Sequence, residues 1–480
     1  VIFNQAGTTT YAGVISGNGN VTKQGAGAVT FSAGQTYTGN TTITSGSIEF
    51  DGAIASSAIS LNTGSVMFFT ANSGSRTVAS NISGSGNMDL IGFLSTYTLT
   101  GDHTNYSGIT KLENNTAVLG SSSTLGSGNI WLVGRTGLTY TAQNSVDYSS
   151  RLTASNSTIL TVDTGGQNVT WTGAPFNSTN SALIKNGTGT LVLSASAVLA
   201  GNTTAPATPA ITVKAGTLVL GGDNTLGANF PYGSTSPGIV IDAGATLQVG
   251  NGSTTGNLGG SAGLGATPVT NNGTLAFNRG DTYSTTSLQI LNNITGTGSV
   301  LMAGAGDVTL SSTGNNYTGG TRLQAGYLIP SVSNATSPSF GPSGAISFEG
   351  GGLKYVNNSD TNDYSSRFST AANQAYKINI TGALGARTWA TPLTSSGGTL
   401  TLADGVLILA ADNTYSGATT VSASGRLQLG NGGTTGTLSA ATNIYLPSYL
   451  SDSNLTVSHS DNVSMVANIS GLGSLSQLGT

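Results

Sequence analysis

The 480-residue chain contains no cysteine, which excludes disulfides and thiolate metal sites and leaves burial and backbone pairing to supply its stability. Charge is nearly as scarce. Asp, Glu, Lys and Arg make up 7% of the residues, against roughly 25% in ordinary soluble domains, and the 14 Lys and Arg never form a run. That leaves no electrostatic footprint for nucleic acid or for an anionic membrane surface. No apolar run approaches the ~20 residues a membrane-spanning helix needs, so no transmembrane segment is expected in this piece, and the opening VIFNQAGTTT lacks the basic and apolar regions of a leader. Helical periodicity is missing too, since no stretch keeps apolar residues at i, i+3, i+4 and i+7 while avoiding Gly, Thr and Val. Collagen is excluded by 11 Pro and by glycines that ignore a period of three. Disorder is excluded by 37% hydrophobic residues and a net charge of only -4.

What the chain has instead is glycine, 71 residues or about 15%, placed between short alternating runs rich in Thr, Ser, Asn, Val, Ile and Leu. Two motifs recur. An Ile-Ser/Thr-Gly-x-Gly turn falls at Ile15–Gly19, Ile82–Gly86, Ile294–Gly298 and Ile469–Gly473, and a Tyr-Ser/Thr-Gly triplet at Tyr37, Tyr106, Tyr317 and Tyr415. An aliphatic residue follows each tyrosine by six positions: Ile43, Leu112, Leu323 and Val421. From Ile to Tyr the distance is 22 to 24 residues, about one circuit of several short strands. Two copies are degenerate. Near Ile184 the expected tyrosine is Ala207, although Val213 keeps the aliphatic position, and near Leu393 the turn is loosened while Tyr415 is intact. The spacers repeat as well: DYSSR occurs at Asp147–Arg151 and Asp363–Arg367, and NGSTTGNL at Asn251 parallels NGGTTGTL at Asn431. The Pro-containing stretches 206–209, 231–237 and 338–342 read as loops, because strand patterns resume after each.

Strands of three to five residues recurring every 20 to 24 residues predict an all-β chain, a parallel β-helix (β-solenoid) built from irregular Gly-rich repeats. Inward Val, Ile, Leu and Ala would fill a continuous core, and outward Thr and Ser would face water. Glycine and Asn supply the corners where φ is positive. At ~4.8 Å per coil, roughly 20 coils make a rod of about 100 Å. Residues 1–480 read as one continuous segment with units starting near 15, 82, 184, 294, 393 and 469, the last truncated. A propeller is the alternative, but its near-constant blade period of ~40 to 50 residues conflicts with starts 67 and 212 residues apart.

The run from Ile-Ser/Thr-Gly-x-Gly through Asn-x-Tyr-Ser/Thr-Gly-x-Thr to Gly-x-Leu-x-Leu-Gly resembles the autotransporter-associated β-strand repeat, also called the passenger-associated transport repeat, best at Asp412–Gly430 and Ile294–Leu328. The resemblance implies a bacterial surface or secreted protein with a right-handed β-helix that crosses the outer membrane and is often displayed on it. It also implies an export signal and an outer-membrane barrel elsewhere in a full chain.

Chemistry is sparse. His103 and His459 are isolated and expected to face solvent, and no metalloprotease, nucleophile-elbow or phosphate-loop signature occurs. Asp360 and Asp363, beside Arg367, could hold a hard cation such as Ca²⁺ in a loop, but Asn and Asp are ordinary turn formers and the recurrence of Asp147 and Arg151 in DYSSR favours a structural role, with Asp and Arg as a surface pair. Trp131, Trp171 and Trp389 are candidates for glycan contact, whereas the motif tyrosines are expected to stack in line along the solenoid. Sequons at Asn105, Asn316 and Asn468 are mostly compositional. No catalytic, cofactor-binding or metal residue is assigned, and the chain is read as not an enzyme.

The expected function is an extracellular structural or adhesive segment acting as stalk, fibre or display rod, secreted or on the extracellular side of the outer membrane. Its expected partners are further copies of itself, or cell-surface, host or glycan groups, and no nucleic acid. A filament subunit polymerising end to end, a carbohydrate-active β-helix lyase or hydrolase and a glycan-binding adhesin are the alternatives. Because the chain opens on Val1–Phe3 and stops inside a repeat, either the polypeptide is expected to continue or another copy to stack there.

Overall fold

The computed structural model describes residues 1–480 apart from 72–73, 175, 179–180, 200, 202–207, 227–237, 259–266, 283–286, 332–337, 357–359, 382–384, 440–441, 448–452 and 479–480. Ala207 and the proline loop 231–237 lie outside the described residues. The chain is all-β, with parallel strands stacked as a β-solenoid of about 19 turns. Its described helical content is two 3₁₀ turns, Ser149–Arg151 and Ser365–Arg367. Two compact units are distinguished, Val1–Thr246 and Leu247–Thr480.

In the first unit, Ile2–Asn4 pairs with Val21–Gln24, which pairs with Thr41–Ile43, then Ala58–Leu61 and Asn81–Gly84, every step parallel. A second sheet climbs through Thr9–Tyr11, Ala28–Phe31, Ser47–Phe50, Val66–Ala71, Asn87–Leu99 and Thr110–Leu119. The period of two is visible in each strand: in Ala28–Phe31, Val29 and Phe31 are buried while Ala28 and Thr30 are partly exposed. Parallel register stacks like on like. Phe31, Phe50 and Phe69 form an inner ladder with ring centroids 5.5 and 5.7 Å apart, which suits offset aromatic stacking.

The second unit repeats the plan. Thr274–Phe277, Ser299–Met302, Thr321–Leu323 and Ile346–Phe348 make one sheet, and Leu288–Ile290, Asp307–Leu310, Tyr327–Pro330 and Gly352–Lys354 begin another. Thr399–Leu409 and Thr419–Leu429 are the longest strands of this unit, and Leu400, Leu402, Leu407 and Leu409 face inward beside Val421, Leu427 and Leu429.

Candidate functional site

The recurrent motifs meet at one corner of the coil. The first glycine of each Ile-Ser/Thr-Gly-x-Gly turn has a positive φ, 92° at Gly17, 95° at Gly84 and 98° at Gly296, where a Cβ would be strained. The second glycine serves another purpose. It receives the glycine of the Tyr-Ser/Thr-Gly triplet from the following coil: Gly39 packs on Gly19, Gly108 on Gly86, Gly319 on Gly298 and Gly417 on Gly398, each so closely that a Cβ would overlap the backbone beneath it. The backbone bonds match, with Gly417 N–H donating to Gly398 O at 2.8 Å and Tyr415 N–H to Leu393 O at 3.0 Å. The two motifs travel together because they are stacked.

The tyrosine sits under this contact and is fully buried in all four copies. Its hydroxyl meets a buried threonine four residues on, Tyr37 with Thr41 at 2.7 Å, Tyr317 with Thr321 at 2.8 Å and Tyr415 with Thr419 at 2.5 Å, while Tyr106 donates to Ile109 O at 2.7 Å. Burial pushes the Tyr317 phenol up to about 12. The expectation that these tyrosines stack in line is corrected here: Tyr37 and Tyr106 are 69 residues apart, several coils, so their rings cannot meet, and the aromatic ladder belongs to phenylalanines. Tyr415→Phe should leave the buried Thr419 hydroxyl without this partner and cost about 1–3 kcal/mol, read as a lower denaturation midpoint at unchanged slope.

Two residues before three of the tyrosines stands a buried amide that laces the coils. Gln35, Asn315 and Asn413 accept from the N–H of Ile15, Ile294 and Leu393 at 2.8, 3.0 and 2.9 Å, and those are the residues that open each turn. In the fourth copy Ile82 N–H donates instead to Asp102 O, and His103 laces the coils in another way. It is fully buried, with Nε2 at 3.2 Å from Ser80 O and Nδ1 against Thr124 O, so one ring touches the coils before and after its own. His459 is 4% exposed, packed against Gly430, with Nδ1 3.2 Å from Asp461. Both histidines therefore contradict the solvent-facing expectation, and for His103 the reason is that backbone carbonyls inside a corner need a donor. Burial holds the His103 pKa below its ordinary value.

The passenger-associated-transport-repeat model matches residues 21–49, 183–205, 302–329 and 404–429, and the first, third and fourth matches contain the corners at Tyr37, Tyr317 and Tyr415. The chain carries passenger-associated-transport repeats. It is also 27% identical over 427 residues to the Adhesin BmaC autotransporter of Brucella suis biovar 1 (strain 1330), an alignment covering 79% of this chain and 12% of that protein. The chain thus spans about an eighth of the length of that relative. No solved structure matches it.

Two of the passenger-associated-transport repeats open on a buried lysine. Lys23 Nζ donates to the carbonyls of Gln24, Gly25 and Ser45, and Lys185 Nζ to those of Asn186, Gly187 and Ala215, at 2.7 to 3.3 Å. Each ammonium caps the turn of its own coil and one carbonyl of the next. Burial pulls Lys185 down to about 8.

Between the repeats, DYSSR is a staple across three coils. Asp147 accepts from Ser149 N–H and Oγ within its own turn and from Thr172 N–H and Oγ1 one coil ahead, at 2.6 to 2.9 Å. Asp363 does the same with Ser365 N–H and Ala390 N–H, both at 2.8 Å. The arginines point the other way: Arg151 donates to Gly126 O, and Arg367 to the carbonyls of Phe340, Gly341, Ser343 and Gly344. Asp and Arg are not a surface pair, as the sequence suggested; one holds the coil ahead and the other the coil behind. Asp360 is buried, and its oxygens accept from Ser339, Asn362 and Tyr364. The carboxylates read as cation ligands are engaged by protein donors.

Burial works against the Asp147 carboxylate, but the hydrogen bonds from Ser149 and Thr172 outweigh it and hold the pKa below the ordinary value. A depressed carboxylate stabilises the fold above its unfolded pKa of about 3.9 and loses that contribution as pH falls through the lower folded value. The melting-temperature gap between the native chain and Asp147→Asn should therefore be full at about pH 6 and shrink below about pH 4.

Of the three tryptophans, Trp171 is buried with Nε1 donating to Tyr140 Oη at 2.9 Å, and Trp389 is buried edge-on to Phe368, so neither is available to a glycan. Trp131 is 46% exposed. The Arg279 and Asp281 charges, next to one another across Gly280, face each other in a buried bidentate pair at 2.9 Å and are not presented outward. Among the described residues no group of three or more His, Asp or Glu is placed to hold a metal ion.

Proposed function

We propose that this segment is an extracellular rod of a bacterial surface protein, which carries contact surfaces away from the cell and contributes to adhesion. The observation that carries this reading is the coincidence of the passenger-associated-transport repeats with the stacked glycine corners, since the repeat family concerns passenger transport and the corners make an extended coil stack. The relative named as an adhesin autotransporter supports adhesion as the task. Neutral, Thr- and Ser-rich outward faces suit a spacer that avoids unspecific charge contacts.

Protease added to intact cells that make the full protein is expected to remove the segment, as followed by an antibody raised against residues 1–480. Protection until the cells are lysed would overturn the reading. Cells deleted for the segment should keep growth and lose attachment to the surfaces the parent strain colonises.

A further inference from the structure

Beyond the first coil of the Val1–Thr246 unit, the large apolar side chains exposed among the described residues are Phe93, Leu94, Ile109, Trp131 and Val146. They fall on successive coils. Other outward positions of this unit carry residues such as Thr22, Thr42 and Ser60, so this concentration is local. Parallel register sets Asp89, Lys111 and Trp131 side by side in one outward row, and Ile91, Glu113 and Val133 in the next. At the edge of the face, three residues, Gly92 to Leu94, stand where the next coil has only Asn114. The two extra residues push Phe93 and Leu94 out to 71% and 73% exposure, with Leu94 held at φ 57°, a conformation an ordinary leucine rarely adopts.

At the centre lies an ion pair, Lys111 Nζ to Glu113 Oε2 at 2.6 Å, with the ammonium 5.8 Å from the Trp131 ring centroid. Among the described residues it is the one ion pair of this unit. Lys111 and Glu113 are two apart on one strand, so both leave the same face about 7 Å from each other. A two-fold axis lying in the plane of the face, perpendicular to the strands and midway between these two residues, exchanges the pair. Lys111 of each copy then meets Glu113 of the other, Trp131 lies over Val133 of the other copy, and Phe93 and Leu94 reach the strand start at Asn87.

We propose that this face is a self-recognition surface whose occupant is a second copy of the chain. The self-complementary charges select that occupant. Lys111 is balanced by Glu113 and Asp89, which leaves no cationic rim for anionic lipid, and the Trp131 ring is met by the ammonium where a sugar would stack. Two outward rows and the Phe93–Leu94 edge, on three coils, cover roughly 300 Å², well below the ~800 Å² per partner of a standard interface. The contact is therefore weak and reversible, and it acts through many copies side by side on a surface. The inference rests on the surface-rod reading for where the contact is made, but it is tested on purified protein, so either can fail without the other.

Sedimentation velocity on the 480-residue chain should give a concentration-dependent monomer–dimer equilibrium. Lys111→Glu and Glu113→Lys should each weaken it at least tenfold, with unchanged circular dichroism because both side chains are partly exposed. Mixed in equal amounts, the two variants should associate with each other, and the double variant K111E/E113K should dimerise like the native chain. A chain that stays monomeric to about 100 μM, single variants that dimerise normally, or a mixture that does not associate would each overturn the proposal. So would a monomer that binds phosphatidylserine vesicles or immobilised glycans through Trp131.

Discussion

Gly108→Val should cost about 4 kcal/mol or more and open one region of the solenoid before the rest. The Gly108 Cα lies over the Gly86 carbonyl of the preceding coil, and an added Cβ would overlap that carbonyl and press on the Tyr106 ring, itself fully buried. Neither neighbour can give way. Moving the backbone breaks the bonds from Ser107 N–H to Gly84 O and from Ser127 N–H to Tyr106 O, and turning the ring breaks its bond to Ile109 O. In a stacked-coil protein each coil is stabilised mainly by its neighbours, so the damage should stay local. Hydrogen exchange is the decisive measurement: protection should collapse across residues 82–130 and persist around Leu400 and Val421. Gly7→Ala is the control, since a Cβ there meets nothing within 4 Å, and it should be neutral within about 0.5 kcal/mol. Uniform loss of protection along the chain would show that the corner is not a local lock.

The second large effect is expected at Arg367. Its guanidinium gathers four backbone carbonyls of the preceding coil, with Nη1 to Gly341 O at 2.7 Å, Nη2 to Ser343 O at 2.6 Å and Phe340 O at 3.1 Å, and Nε to Gly344 O at 2.9 Å. Arg367→Ala removes every donor at once and strands the carbonyls of buried Phe340 and Gly341, at a cost of about 2–4 kcal/mol. Lysine should recover less than half, because one ammonium cannot reproduce a planar fork that reaches four acceptors. Chemical denaturation of the three proteins distinguishes this from a simple charge effect. If R367K matched the native chain, a positive charge near the turn would suffice and the staple would be refuted.

Much of the fold was legible because its signals are local. Alternation in Ala28–Phe31 or Asp307–Leu310, glycines at the corners and the 22- to 24-residue interval all survive in one dimension, and they predict stacked parallel coils. The contacts between coils were not legible. Nothing in the string places Gly39 over Gly19, since that follows from a coil length known only once strands are in register. For the same reason Asp147 and Arg151, four residues apart, looked like partners although they serve opposite neighbours. The inward direction of His103 was not legible because a polar residue in a loop carries no periodicity to say which way it points, and the Ser80 and Thr124 carbonyls on either side of its ring come together only in the folded chain. The exposed face around Trp131 could be suspected but not bounded, because the two-residue excess at Phe93 and Leu94 is visible only against the shorter corner at Asn114.

The glycine-on-glycine corner also governs how such a chain can change its length. A residue gained or lost within a strand between Gly86 and Gly108 would set a side chain on the underlying Gly86 carbonyl and reverse the inward and outward faces of the strand beyond it. Material can enter this molecule only as protruding loops, as at Phe93 and Leu94, or as complete circuits that return the next glycine to its seat. Lengthening is quantised, and any length gained by a stack of coils comes in steps of one coil.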